Sequence, residues 1–457
     1  MRGWKEVSID EISDYVTVGY VGSMASEYID EGVLFLRSQN IEPFKLNLAE
    51  NQVRYISDKF HKKLSKSKLI SGDIAMVRTG YPGTCCVIPE GMGELNCSDL
   101  VIIRPEFDLV DSHFLCYFLN SPLGKASISG NLVGAAQQHF NVGVAKKIKL
   151  NLPNLHTQQK IASILSAYDD LIENNNQRIK LLEEMAEEIY KEWFVRLRFP
   201  GYQDCKYFDK DGKEVPQGTV GALPEGWEIK KFRDCLSHYI GGGWGEDEPT
   251  GKFIKPAHVI RGTDLPDFKI GKLNYDVLRF HTKSNLSSRK CKPNDIIFEV
   301  SGGTESQSLG RTVFITQKAL DRFKDPVIAA SFCKLIRVNS KVISSYYINQ
   351  TLLRMHQTGE LKVFQVQSTG LSNYQFEDFI EATKVNIPPN EVQQGFEGIL
   401  KPMYEEIQTL GEKNQILQET RDLLLPRLIS GKLSVEDLEM KNESLPLAAE
   451  PTSNYTT

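Results

Sequence analysis

Asn151-Leu152-Pro153-Asn154-Leu155-His156-Thr157-Gln158-Gln159-Lys160-Ile161 returns later in the chain as Asn386-Ile387-Pro388-Pro389-Asn390-Glu391-Val392-Gln393-Gln394-Gly395-Phe396. The two stretches lie 235 residues apart, and that spacing holds without a gap through Ile164/Ile399, Leu165/Leu400, Ile172/Ile407, Leu182/Leu417 and Glu184/Glu419. Two copies of one unit in one chain point to a pseudo-two-fold task. Downstream of the first stretch, Ile161, Leu165, Tyr168, Ile172, Asn175, Ile179, Leu182, Ala186, Ile189 and Trp193 alternate steps of four and three. Downstream of the second, Phe396, Leu400, Met403, Ile407, Leu410, Asn414, Leu417, Arg421, Leu424 and Leu428 do the same. Each series is a sustained heptad seam on a helix of about 40 residues, roughly 60 Å long. Pro153 and Thr157 mark the start of the first helix and Pro200-Gly201 its end; Pro402 marks a kink or a later first turn in the second, and Pro426 should end or kink it.

Two seams in one chain most simply pack on each other. With the helices antiparallel and Ile161 facing Leu428, Asn175 falls opposite Asn414, the only amide on either seam. A hydrogen bond between them would fix the register of the coil, against the plainer reading of two solvated positions.

Ahead of each helix lies a stretch of short β-like runs, such as Val33 to Leu36, Ile74 to Val77 and Leu100 to Ile103, punctuated by Gly, Pro and Ser. The repeat continues there more weakly: Gly3-Trp4 matches Gly226-Trp227, Leu36-Arg37-Ser38-Gln39-Asn40-Ile41 matches Ile260-Arg261-Gly262-Thr263-Asp264-Leu265, and Gly72-Asp73-Ile74 matches Asn294-Asp295-Ile296. Offsets of 222 to 224 in these blocks mean insertions separate them from the helices. Helices in register with diverged heads suggest a fixed scaffold carrying two variable modules. Tyr202 to Ala222 reads as a linker, with a hairpin turn at Asp209-Lys210-Asp211-Gly212, and the polar tail Asn442 to Thr457 as disordered.

The chain has 457 residues, 25% of them charged and 40% hydrophobic, with a net charge of −5. No apolar run approaches the roughly 18 residues of a membrane span, and the polar start does not read as a secretory signal. Eight scattered cysteines without a C-x-x-C fit reduced thiols in a cytoplasm better than a disulfide framework or zinc site. The acidic average gives no support to nucleic-acid binding, so any basic surface must be local.

Catalytic signatures are missing. Gly245 to Phe253 approaches a phosphate-binding loop, but it has five residues between its glycines, three of them acidic, and Phe after Lys252. There is no G-x-S-x-G elbow and no H-E-x-x-H, and Asn386-Ile387-Pro388-Pro389 lacks the aromatic of an amino-methyltransferase site.

Local patches remain as candidate contacts. Lys62 and Lys63 belong to a basic run with Lys66 and Lys68, read as phosphate contacts or as a solvated face. Arg78-Thr79-Gly80-Tyr81-Pro82-Gly83 places a guanidinium fork at a strand end before a tight turn, where it could reach a guanine edge. The plain alternative is a hairpin with a surface Arg. The matching site, Val300-Ser301-Gly302-Gly303-Thr304, keeps the turn and lacks the Arg. Before each helix lies an amide-rich stretch, with Gln137 and Gln138 in one and Gln365 and Gln367 in the other. Gln pairs bidentately with adenine; a polar loop against the helix base is the other reading. Arg37, Gln39 and Arg261 follow apolar runs, and Lys283, Arg289, Lys290 and Arg311 supply positive charge to the second module for the DNA backbone.

Taken together, Gly72 through Gly80, Leu152-Pro153 through Leu165, Leu223-Pro224-Glu225-Gly226-Trp227-Glu228 and Arg421 through Leu433 resemble the specificity subunit of Type I restriction-modification systems. The resemblance spans nearly the whole chain apart from the tail. It implies an α+β fold with two globular β-rich target-recognition domains joined by two long helices in an antiparallel coiled coil, as a pseudo-two-fold internal repeat. The implied boundaries are 1–150 for the first domain, 151–200 for the central helical region, 201–222 for a linker, 223–388 for the second domain, 389–435 for the C-terminal helical region and 436–457 for the tail. Each domain would read one half of a bipartite, asymmetric site in double-stranded DNA, with the helices setting the spacing and docking two modification (methyltransferase) subunits. The chain itself would be non-catalytic, cytoplasmic, and without metal or cofactor. S-adenosylmethionine, ATP and Mg would sit on the modification subunits and a restriction/translocase subunit. Two other readings stay open: the specificity subunit of a related Type II system, and a coiled-coil assembly protein with two protein-binding heads.

Overall fold

A computed structural model describes residues 3–49, 52–131, 140–302, 308–368, 371–436 and 438. The architecture mixes helix and sheet, with long helices at Leu155–Tyr190 and Asn390–Ile429. The chain divides into two compact units, residues 1–170 with 418–457 and residues 171–417, and both long helices cross that division. Among the described residues, no helix is long and apolar enough to cross a membrane.

In the first unit, a four-stranded sheet orders its strands as Cys85–Val87, Ile74–Val77, Leu100–Pro105 and Ser13–Val18, all antiparallel. Ile74 to Val77 and Leu100 to Ile103 are buried at every position, as a sheet covered on both faces requires. A second, five-stranded sheet pairs Val33–Leu36 parallel to Leu95–Cys97. Lys5–Ser8 pairs antiparallel with Lys149–Leu152, so the strand that starts the module is tied to the one that leads into the long helix.

In the second unit, a four-stranded sheet runs Leu236–Gly241, Cys333–Val338, Ile296–Glu299 and Thr312–Phe314. Lys255–Ile260 pairs parallel to Val327–Ala329 in a neighbouring sheet. Glu228–Lys231 pairs with Lys384–Ile387, the strand that leads into the second long helix. The stretch read as a linker is folded: Tyr207–Phe208 pairs with Glu214–Val215 and with Leu223–Pro224. Asp209 Oδ1 accepts from the amides of Asp211 and Lys213 at 2.9 and 3.0 Å, and Gly212 takes φ +78°, so an Asx turn closes the hairpin.

Each long helix starts on a buried glutamine. The Gln158 side chain is fully buried; it donates to the carbonyls of Pro153 and Leu109 at 2.9 and 3.0 Å and accepts from the Asp111 amide at 3.0 Å. Asp111 in turn caps the helix Ser112–Asn120 through the Phe114 amide at 2.8 Å. Gln393 repeats the pattern. It donates to Pro388 and Val342 carbonyls at 2.7 and 3.3 Å and accepts from the Ser344 amide at 2.8 Å, and Ser344 caps the helix Ser345–Gln357. The start of the first long helix is itself capped by Asn154, whose Oδ1 accepts from the Thr157 amide at 2.9 Å.

Within the first unit, Ile161 and Leu165 from the start of one long helix pack with Leu425, Leu428 and Ile429 from the end of the other. Within the second, Ile179 packs with Ile407 and Leu410, and Tyr190 and Phe194 with Phe396 and Leu400. Asn175 Nδ2 donates to Asn414 Oδ1 at 2.8 Å, and Asn414 Nδ2 to Asn176 Oδ1 at 2.9 Å. The first helix departs from its heptad pattern at the end. Tyr190 is buried where the spacing points to Ile189, and Phe194, inside a π-helical turn over Lys191–Val195, where it points to Trp193. The second helix is continuous through Pro402 and Pro426. Its terminator is Gly431, which takes φ +66° and donates to the Leu428 carbonyl at 3.0 Å.

Two expectations follow from these packing arrangements. Gln158→Leu strips partners from one amide and two carbonyls, which lowers stability by about 2–4 kcal/mol; the exposed neighbour Gln159→Leu changes it by less than about 0.5 kcal/mol. Urea unfolding of both variants checks this, and equal midpoints would remove the anchoring role. The second concerns acid. Burial pushes the pKa of His61, His258 and His281 down. The folded state then resists protons that the unfolded chain accepts, so stability is full above about pH 6.5 and declines as pH falls toward about 5. His281, fully buried with both ring nitrogens unpaired, is the sharpest case: His281→Leu should flatten the decline in melting temperature, and an unchanged slope would exclude it as a source.

Candidate nucleic-acid interface

The candidate residues separate into those whose polar groups are engaged within the protein and those left open. Arg78 ends the strand Ile74–Val77, and its fork is largely committed. Nε donates to the Phe140 carbonyl at 3.1 Å and Nη1 to Asp99 Oδ1 at 3.0 Å, while Thr79 Oγ1 donates to Asp99 Oδ2 at 3.2 Å. The turn beyond is tight. Gly83, at φ +92°, lies where a Cβ would meet Ile128 at 2.6 Å, so the turn is held on the helix beneath and Tyr81 projects from it, 84% exposed. Arg37 donates from Nη2 to the Gln52 carbonyl at 2.7 Å and covers the Tyr28 ring, and Gln39 Nε2 donates to Gln52 Oε1 at 2.7 Å.

The second unit uses its arginines the same way. Arg261 makes a bidentate pair with Asp264, at 2.9 Å for Nε. Burial pushes the Asp264 carboxyl up, but the Arg261 hydrogen bonds outweigh it and hold the pKa below the usual carboxylate range. Arg311 Nε donates to buried Glu299 at 2.8 Å and Nη2 to the Gly262 carbonyl at 3.0 Å. Arg289 Nε donates to the Gly241 carbonyl at 2.8 Å. Ser301 Oγ donates to Asn373 Oδ1 at 2.9 Å, and Gln365 Oε1 accepts from the Leu309 amide at 3.2 Å.

Open side chains are fewer. Lys62 and Lys63, in the last turn of the short helix Asp58–Lys63, are exposed and have no side-chain partner among the described residues. The same holds for Lys283, Lys290 and Gln367. Gln137, Gln138 and Thr304 lie outside the described residues.

The fold nevertheless joins segments that are remote in sequence. The Arg78 turn reaches Phe140, the residue that follows the amide-rich stretch of the first unit. In the second unit Ser301–Gly302 pairs as a strand with Leu371–Tyr374, which pairs with Gln365–Ser368. The Arg261 segment arrives at the same strand end through Arg311 and Glu299. Sequence reading missed the acids that hold the arginines, Asp99, Asp264 and Glu299. It also missed the role of the matched Gly72-Asp73 and Asn294-Asp295 blocks: Asp73 pairs with Arg104 at 2.7 Å and Asp295 with Arg337 at 2.7 Å, both carboxylates being buried. The recurring Asp was the available signal. Another exposed aromatic, Trp244, with the Arg279 guanidinium 4.5 Å over its ring, was not singled out either. Among the described residues, no group of three or more His, Cys, Asp or Glu is placed to hold a metal ion.

Residues 1–184 match the family model of the Type I restriction modification DNA specificity domain. Over 96% of its length the chain is 27% identical to the Type I restriction enzyme MjaIX specificity subunit of Methanocaldococcus jannaschii, covering 95% of that protein. It is 22% identical to the Type I restriction enzyme HindI specificity subunit of Haemophilus influenzae, covering 95% of this chain and all of that one. The fold is similar to the crystal structure of a Type I restriction-modification S subunit from M. genitalium, with a TM-score of 0.55 at 13% identity over 93% of this chain and 96% of the other. Residues 1–184 thus carry the likeness to the Type I specificity domain, and nearly the whole chain is similar to Type I restriction enzyme specificity subunits.

Proposed function

We propose that this chain is the DNA-reading subunit of a Type I restriction-modification complex, with one β-rich module per half of a bipartite, asymmetric site. The observation that carries the reading is the same convergence in both units: the residue just past the end of a central strand bonds to a segment far on in sequence, ahead of the long helix. It is made by Arg78 and Phe140 in one and by Ser301 and Asn373 in the other. Such a rim offers a small group of side chains to base edges on a rigid sheet. The rims differ in chemistry, an arginine–carboxylate pair with a tyrosine beyond it in one and a hydroxyl–amide pair in the other, as readers of unlike half-sites should.

The engaged arginines shape the rim, and the open groups make contact. Lys62 and Lys63 in the first module, with Lys283 and Lys290 in the second, take phosphates. Tyr81 and Gln367 are the groups free to meet bases, and Gln39, whose Nε2 is bound to Gln52, has its Oε1 left for the same purpose. The long helices form an antiparallel coiled coil, with the Asn175–Asn414 hydrogen bond as its register pin, within a pseudo-two-fold chain; they set the half-site spacing and dock the modification subunits. Half-sites on one face of B-DNA lie about 34 Å apart, within the span of helices this long. Linking two readers makes the second encounter intramolecular, so affinity and specificity multiply. Catalysis, with S-adenosylmethionine, ATP and Mg, resides on the partner subunits.

Comparing genome-wide adenine methylation with and without this gene tests the reading. One split motif should vanish; an unchanged pattern in cells expressing the whole system would overturn it. Within the assembled complex, the double variant Lys62→Ala/Lys63→Ala should weaken binding to all DNA sequences alike and reduce the slope of log affinity against log salt by about 2. Tyr81→Ala should relax only one half of the motif. Loss at both halves would assign Tyr81 to the fold.

A further inference from the structure

The second unit encloses a cavity of about 50 Å³, bounded by the first long helix, the second long helix, the helix Ser345–Gln357 and the strand Thr312–Phe314. Four polar atoms of lining residues have no hydrogen-bond partner within the protein: Glu183 Oε1 is met by the Lys269 ammonium as an ion pair, and Thr312 Oγ1, Asn349 Oδ1 and Gln408 Oε1 are met by nothing. The residues that carry the last three are 6%, 2% and 3% exposed. Three buried oxygens left bare would be costly, and native proteins meet such groups with a partner. The other ends of both amides have partners. Asn349 Nδ2 donates to the Tyr404 hydroxyl at 2.7 Å, and Gln408 Nε2 to the carbonyls of Phe268 and Lys269 at 3.3 and 3.5 Å. Turning the Gln408 amide round would set its oxygen against two carbonyls, so Gln408 presents an acceptor; the Tyr404 hydroxyl can accept or donate, so Asn349 can present either end.

We propose that this cavity is a binding site for a small cluster of ordered water that joins the sheet and helix of the second module to the second long helix. A water needs about 10–15 Å³ of such space and two to four polar partners, so there is room for about three or four. Water supplies the hydrogens that the three oxygens lack. The Tyr404 hydroxyl, already accepting from Asn349 and Gln350, keeps its own hydrogen to donate to the cluster. A metal cation is the weaker guest, because the Lys269 ammonium lines the same cavity and pairs with Glu183 at 2.9 Å. The first unit seats its module differently. Tyr117 donates to Asp169, which also binds Arg421, and the guanidinium covers Phe44; direct charge-assisted contacts do there what water does here.

The isosteric pair Thr312→Val and Thr312→Ser in the full chain decides the matter. With a water cluster bound, Val breaks a filled network and lowers the melting temperature by about 2–4 °C, while Ser stays near wild type. If the cavity is dry, Val relieves an unmet hydroxyl and the melting temperature rises or holds, which overturns the proposal. A melting temperature that rises in potassium or sodium over choline at equal ionic strength, and does so only with Thr312 intact, overturns it in favour of a cation.

Discussion

A buried amide side chain bridging a strand exit, a module loop and a helix start is the constraint on which the rest rests. Gln158 and Gln393 each accept from the amide of a residue that caps a second helix and donate to two loop carbonyls. Burying a primary amide is unfavourable unless its polar atoms are satisfied. Both ends are satisfied here only when the long helix, its preceding strand and the module loop take one mutual arrangement. The interaction therefore acts less as a source of stability than as a geometric condition. It explains why the Gln-Gln stretch reappears at fixed spacing while surrounding loops change length.

The same logic separates the modules' frames from their rims. Asp73–Arg104 and Asp295–Arg337 place a buried carboxylate against a partly buried guanidinium at matched strand starts. Removing one partner would leave an uncompensated charge in the sheet. That penalty holds the pair in place. At the other end of the same strands there is no such penalty, and the chemistry departs: Arg78 and Thr79 with Asp99 in one unit, Ser301 with Asn373 in the other. Variation collects where a change of side chain costs the fold little and alters what the surface offers.

The helices were legible because their seams repeat over many turns, and setting Ile161 opposite Leu428 brought together Asn175 and Asn414, which a hydrogen bond joins. Periodicity could not foresee that burial moves from Ile189 and Trp193 to Tyr190 and Phe194 at the end of the first helix, because it depends on aromatic packing against Phe396 and Tyr347. Local turn chemistry was readable at Asp209 to Gly212, yet the strands around it were too short to register as a sheet. The candidate site was legible as segments and poorly legible as residues. A surface Arg and one spending its donors internally look alike in sequence when the acid lies far off, as Asp99 does for Arg78 and Glu299 for Arg311.

That difference bears on how an acidic chain meets DNA. With a net charge of −5, long-range attraction to the polyanion does not come from the whole molecule. Arg78, Arg261 and Arg311 are each held by a carboxylate, so their charge is largely neutralised where it stands. Among the candidate residues, Lys62, Lys63, Lys283 and Lys290 remain open to the backbone, each a point charge on a flexible stem with little directional demand. Phosphate attraction supplies most non-specific affinity; a chain that spends its guanidiniums on internal order gives up much of that affinity. In the reading proposed above, the gain is a rigid rim whose aromatic and amide groups discriminate between sequences, and the affinity given up is recovered by engaging two half-sites at once.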